Sequence, residues 1–264
     1  MPVAFAQLQA CLLIAEPAEK CRAVHALWED VRNTGLAPAP AEPAPPIGAP
    51  GRPDRPELVP PHKVPRRRLG SPEGRAALVH AIAHIEFNAI NLALDAAWRF
   101  RDRPAAYYTD WLSVADDEAR HFALLAHRLE ALGYRYGDFP AHNGLWDMAV
   151  CTAHSCLERM ALVPRVLEAR GLDVTPGMIE RLRSAGDEQT VAALEVILAE
   201  EVRHVEIGTR WFQRSCLEAG VDPDETFLHL LETRFDGRIR GPFNVAARTQ
   251  AGFSERELRA MGAA

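Results

Sequence analysis

A chain of 264 residues, 48% hydrophobic and 25% charged, is long enough for a large core and ordinary for a soluble globular protein. Its net charge of −6 gives no global pull toward nucleic acid or an anionic membrane. No stretch approaches the roughly 20 apolar residues of a membrane span, and five scattered cysteines (Cys11, Cys21, Cys151, Cys156, Cys216) form neither a CxxC pair nor a zinc spacing.

Those cysteines read as reduced thiols in a cytoplasmic protein. The N-terminus lacks the basic and long apolar regions of a signal peptide. Residues 3–15 and 17–33 read as short helices split by Pro17, an N-terminal extension over 1–36. Residues 37–70 follow as a proline-dense linker or belt with almost no helical pattern, ending near Arg66, Arg67 and Arg68. Four long helical segments occupy 71–220. The first starts at Ser71 as N-cap with Pro72 behind it and runs to about Phe100. The second runs from about Ala105 to Leu132 and stops at Gly133. The third spans about Leu145 to Arg170, kinked at Pro164 and stopped by Gly171. A short helix near 176–184 precedes the fourth, about Asp187 to Ala219. Residues 221–264 hold one more short helix and an irregular tail packed on the bundle. With no strand pattern between the helices, the fold class is all-α, a four-helix bundle.

The second and fourth helices repeat a pattern: Asp117-Glu118-Ala119-Arg120-His121 and Glu200-Glu201-Val202-Arg203-His204. The first and third each place one acid in an apolar stretch, Glu86 in AHIEFNAI and Glu158 in SCLERMAL. At about 100° per residue, i and i+3 share a face one turn apart, so a Glu and a His at that spacing can grip one metal centre. A carboxylate can bridge two ions, an imidazole terminates one, and four carboxylates offset two divalent charges. This ligand order is that of di-iron and di-manganese bundles.

The faces agree with the assignment. Val79, Ile82, Ala83, Ile90 and Ala93 share a side with Glu86. Trp111, Val114, Ala115, Phe122 and Leu125 share one with Glu118. Cys151, Ser155, Ala161 and Leu162 flank Glu158, and Leu194, Ile197, Leu198, Val205 and Gly208 flank Glu201. Four ionised acids on apolar faces need a cationic partner, and no four lysines are placed to serve. A single ExxH is usually a solvated pair; two, each matched to a preceding helix with one inward Glu, favour metal.

Around this set, His154 reads as a hydrogen-bonded core histidine, with a proton-relay role as the alternative. His80 and His84 point away from Glu86 and read as surface or interface groups. Asp117 and Glu200 either orient a ligand histidine of a neighbouring helix or are solvated. Arg120 and Arg203 should pair with acids on adjacent helices, and Trp111 should pack in the core. The basic cluster between Arg52 and Arg75 is best read as a solvated loop, an RNA backbone being the weaker alternative.

These motifs resemble the ferritin-like superfamily of di-iron carboxylate proteins over about residues 72–219. More closely, LGSPEGRAALVHAIAHIEFNAINLALDAAWRF, DDEARHF, EEVRHVEIG and GPFNVAAR look like a family of uncharacterised ferritin-like bacterial proteins with a domain of unknown function. A more distant likeness is to the di-iron tRNA hydroxylases of methylthio-isopentenyl-adenosine. The resemblance implies a ferritin-like bundle holding two Fe ions, with Mn open, and no established substrate. Glu86 and His121 would cap one ion, Glu158 and His204 the other, and Glu118 and Glu201 would bridge.

The resulting expectation is an oxygen-dependent oxidoreductase of hydroxylase or oxidase type, with a small-molecule substrate and an external reductant. Iron handling, a catalase-like di-manganese site and a non-enzymatic metal-binding bundle are the alternatives. A homodimer stays open. The GPFNVAAR tail would serve as a lid or a strap.

Overall fold

The computed structural model describes residues 1–65, 69–235 and 239–263. Arg66, Arg67 and Arg68, the centre of the expected basic cluster, lie outside the described residues, as do Gly237 and Arg238 at the start of the tail. The described residues are all-α: helices with no strand, and two isolated backbone bridges. The chain divides into two compact units, Met1–Val150 and Cys151–Ala264.

The first unit begins with α1 (Ala6–Leu13) and α2 (Pro17–Thr34), then α3 (Pro72–Arg99) and α4 (Ala105–Ala131). Ser71 Oγ accepts the Gly74 N–H at 3.0 Å, and Pro72 occupies the first turn, where no donor is lost. α3 is buried on nearly every side, so its apolar composition is that of a core helix. Contrary to the sequence reading, it is by length and composition apolar enough to cross a membrane, yet 83% of that apolar window is buried in the fold. α4 packs along α3, α1 lies on α3 and α2 on α4.

The proline-dense segment is tied down at several points. Val59 N–H donates to Ala141 O at 2.8 Å, Trp146 Nε1 to Gly48 O at 3.0 Å, and Gly51 N–H to Leu12 O at 2.9 Å. Gly51 passes so close to the end of α1 that a Cβ there would stand 2.3 Å from the Leu13 carbonyl. Lys20 completes the tie from inside: fully buried, its Nζ donates to Leu12 O, Gly51 O and Asn91 Oδ1. One ammonium thus joins α1, α2, the belt and α3. Burial pushes its pKa down to about 7, the opposing influence coming from the neighbouring Cys21 and Cys11 thiols.

After the irregular stretch 132–143 comes α5 (Gly144–Cys151). The second unit then holds α6 (Cys156–Leu162), a π-helical turn (Val163–Glu168), α7 (Ala169–Ser184), α8 (Glu188–Ala219), α9 (Pro223–Phe235), α10 (Val245–Gln250) and α11 (Glu255–Ala260). The third long helix of the sequence reading is therefore not one rod. It breaks at Thr152–Ser155, because Ser155 Oγ accepts the Glu158 N–H at 3.2 Å and starts a new helix. Pro164, which cannot donate to the preceding turn, widens the helix into the π turn. Gly208 on α8 accommodates that turn, since a Cβ there would meet Pro164 at 2.4 Å.

Gly171 does not stop the helix as expected. α7 runs through it and through Pro176, because Leu172, Ile179 and Leu182 bury one continuous face, outweighing the bond that Pro176 cannot make. The tail is not irregular either. Asn244 caps α10 by accepting from the Ala247 N–H, and Ser254 with Glu257 forms a capping box at α11. It is also strapped down. Arg248 is fully buried in a bidentate pair with Asp173 at 2.9 and 2.8 Å, and Arg165 Nη2 donates to both Glu257 oxygens at 2.8 and 2.7 Å. The Arg165 guanidinium is boxed by Phe212, Phe227 and Phe253.

Candidate metal centre

In the first unit, the facing sides of α3 and α4 bring three of the expected ligands together. Glu86, Glu118 and His121 are 4%, 1% and 0% exposed. His121 Nδ1 lies 3.3 Å from Glu86 Oε2 and 3.4 Å from Glu118 Oε2, and all three residues offer ligand atoms within 4.8 Å of one another. The apolar neighbours anticipated for both acids are buried, from Val79 to Ala93 on α3 and from Trp111 to Leu125 on α4. Burial alone would lower the His121 pKa, but hydrogen bonding and charge from Glu118 and Glu86 outweigh it and push it up to about 11. In the metal-free triad the two carboxylates thus favour the protonated imidazole. Two carboxylates and one imidazole so gathered could hold a metal ion in place of that proton.

In the second unit, Glu201 and His204 repeat the i, i+3 pair on α8. His204 is fully buried, and its Nδ1 lies 3.4 Å from Glu201 Oε1. Leu194, Ile197, Val205 and Gly208 are buried around them, while Leu198 is half-buried. Glu158 lies in different surroundings. It sits in the first turn of α6, its side chain 20% exposed, with Oε2 accepting from Arg234 Nη2 at 2.6 Å and Oε1 at 3.3 Å from His154 Nε2. Of its expected apolar flank, Ala161 and Leu162 are buried, but Cys151 is exposed and Ser155 is the helix cap.

Several neighbouring residues depart from the sequence reading. His154 is not a core histidine: its side chain is 60% exposed. His80 and His84 are not surface groups. They are 1% and 8% exposed, because the segment 132–143 folds over the outer side of α3. His80 Nε2 accepts the Gly137 N–H at 2.9 Å. His84 lies 2.8 Å from Tyr136 Oη and 3.0 Å from His142 O, and burial pushes its pKa down to about 4. Arg120 pairs with Asp117 on its own helix at 2.6 Å. Trp111 packs in the core, edge-on to Tyr107. Arg234 was not singled out from the sequence, and an arginine near the end of a charged helix carries no local signal that would have done so.

Fold and site together define an all-α protein whose long helices carry a buried carboxylate–histidine group able to hold a metal ion. The chain belongs to the family described as "Protein of unknown function (DUF455)", whose model matches residues 13–259. It is similar to an uncharacterised protein of Haemophilus influenzae, 45% identical over 263 residues, covering 96% of this chain and 91% of that protein. No solved structure matches.

Proposed function

We propose that this chain is a non-haem di-iron carboxylate protein with a ferritin-like bundle, acting as an oxygen-dependent oxidoreductase of hydroxylase or oxidase type. Glu86, Glu118, His121, Glu201 and His204 would hold the metal, whereas Glu158 is engaged by Arg234 on its own unit. The observation that carries this reading is the buried Glu86–Glu118–His121 triad, whose ligand atoms converge within 4.8 Å. Two carboxylates and a histidine gathered in an apolar core represent a large desolvation cost, which a bound cation offsets. The repeat on α8 supports a second ion through Glu201 and His204.

A bound iron pair supplies the electrons that reduce oxygen, and the chain's own groups set its terms. The i, i+3 spacing holds each Glu–His pair to one face. The apolar side chains beside the acids keep bulk water away from them. His121 must give up a proton to ligate, so loading releases acid and tightens as pH rises. The partners that follow from this reading are a small organic substrate and an external reductant, in a cytoplasmic setting.

The test is reconstitution with ferrous iron without oxygen, followed by desalting and elemental analysis. We expect close to two irons per chain, and oxygen uptake in air that continues only while a reductant is supplied. Trace iron would overturn the metal reading. Retention of tens of irons per chain would overturn the oxidoreductase in favour of storage, and a preference for manganese with peroxide breakdown would reassign the chemistry.

A further inference from the structure

In the first unit, the start of α2, the belt, the C-terminal half of α4 and the segment after it border a pocket of about 330 Å³, within the size range of small-molecule sites. Its floor is aromatic: Phe122 is buried, and Tyr136 stands edge-on to it at 5.1 Å. Pro17 and Pro53 add flat apolar rings, so the lining suits a planar ligand. The walls are held by the fold itself. The belt is hydrogen-bonded to Leu12 at Gly51 and to Ala141 at Val59, and Tyr136 Oη lies 2.8 Å from His84 Nδ1. Gly137, at φ +106°, lets the belt and the segment after α4 touch, since a Cβ there would stand 3.1 Å from that of Arg55. Arg55 and Arg135 thus come from adjoining stretches, and both line the pocket. Its other charged residues are Glu16 and Glu130. The Glu16 carboxylate is engaged by α2, accepting from the Ala18 and Glu19 N–H groups at the helix start. The side chains of Arg55, Arg135 and Glu130 make no hydrogen bond or ion pair among the described residues. Two guanidiniums against one carboxylate leave the pocket short of negative charge. A guanidinium fork matches a carboxylate.

We propose that this pocket binds a planar aromatic acid, its ring against Phe122 and Tyr136 and its carboxylate met by Arg55 and Arg135. The inference does not depend on the metal reading. The plain alternative is a solvated hollow whose arginines only face water, the common state of exposed charges.

Naphthoate is the probe, with naphthylmethanol and naphthylmethylamine as its uncharged and cationic counterparts, each titrated calorimetrically into the whole chain. Wild-type protein is expected to bind the acid about tenfold more tightly than the alcohol, and the amine most weakly. Arg55→Gln and Arg135→Gln should each weaken the acid about threefold and leave the alcohol unmoved. Arg32→Gln, which removes the same charge at the far end of α2, should change neither. Ala126→Phe, at a half-buried position lining the pocket, should fill it and abolish binding of both. Thermal melts of each variant confirm that it is folded. Acid that does not bind the wild type, or binds no more tightly than the alcohol, overturns the proposal. So does acid binding that survives Ala126→Phe, or that is unchanged in both arginine variants.

Discussion

On α4 the sequence Asp-Glu-Ala-Arg-His is paired with a helix that runs unbroken from Pro72 to Arg99; on α8 the matching Glu-Glu-Val-Arg-His packs with a helix broken at Ser155 and widened at Pro164. The first pairing buries its single acid, Glu86, and closes three ligands on one another. The second leaves Glu158 in the first turn after a break, within reach of Arg234 and His154. The two repeats share their spacing and differ in the neighbour that spacing meets. A ligand pattern fixes which side chains share a face, and the continuity of the partner helix decides how deep that face lies.

The sharpest way to test the contrast is to ask where the second unit keeps its buried charge. Glu257→Ala would leave the boxed Arg165 guanidinium uncompensated and should cost roughly 3–5 kcal/mol of stability, read by urea unfolding. Arg234→Ala removes a partly exposed partner and should cost less than about 1 kcal/mol. Equal losses would mean that the Glu158 pair is structural and the contrast drawn here is misplaced.

A second test reads helical phase. Glu118→Ala should abolish metal retention at the first-unit group, while Asp117→Ala, about 100° around the helix and paired to Arg120, should retain it. Glu201→Ala against Glu200→Ala makes the same comparison on α8. Metal content by elemental analysis decides, and equal content across the four variants would place the ligand face elsewhere.

A third test concerns the closed side of the first unit. His84 is held neutral by burial, with a pKa near 4 against an ordinary value near 6.5. The unfolded chain therefore takes up a proton at His84 that the folded chain refuses between about pH 6.5 and pH 4. Stability falls as pH drops through that window, by on the order of 2–3 kcal/mol. His84→Gln should flatten the slope of unfolding free energy between pH 6.5 and 4, whatever it does to stability at pH 7. An unchanged slope would show that His84 titrates freely and that the segment 132–143 does not seal it.

The helices were legible because capping and periodicity act locally: Ser71 with Pro72, the Gly133 stop and the buried stripe of α4 all follow from neighbours in sequence. The Glu86–Glu118–His121 group was legible for the same reason, being two apolar helix faces read in phase. What was missed depends on distant chain. His80 and His84 looked exposed because nothing near them in sequence announces that residues 132–143 fold over them. Ser155 was read as a face residue when its hydroxyl was a better cap than its position was a helix interior. Gly171 looked like a stop, and packing along Leu172, Ile179 and Leu182 overrode it. The tail looked irregular because its order comes from Arg248 meeting Asp173 and Glu257 meeting Arg165.

The Arg165–Glu257 pair also has a consequence in time. Its members are 92 residues apart, so the guanidinium is made well before the carboxylate that meets it. At about 5–20 residues per second, Arg165 is made roughly 5–20 s before the carboxylate that neutralises it. Through that interval the π turn carries a guanidinium whose aromatic box is still short of Phe253. The second unit therefore completes its core only once α11 has been made, and until then the guanidinium at its centre has no Glu257 to neutralise it.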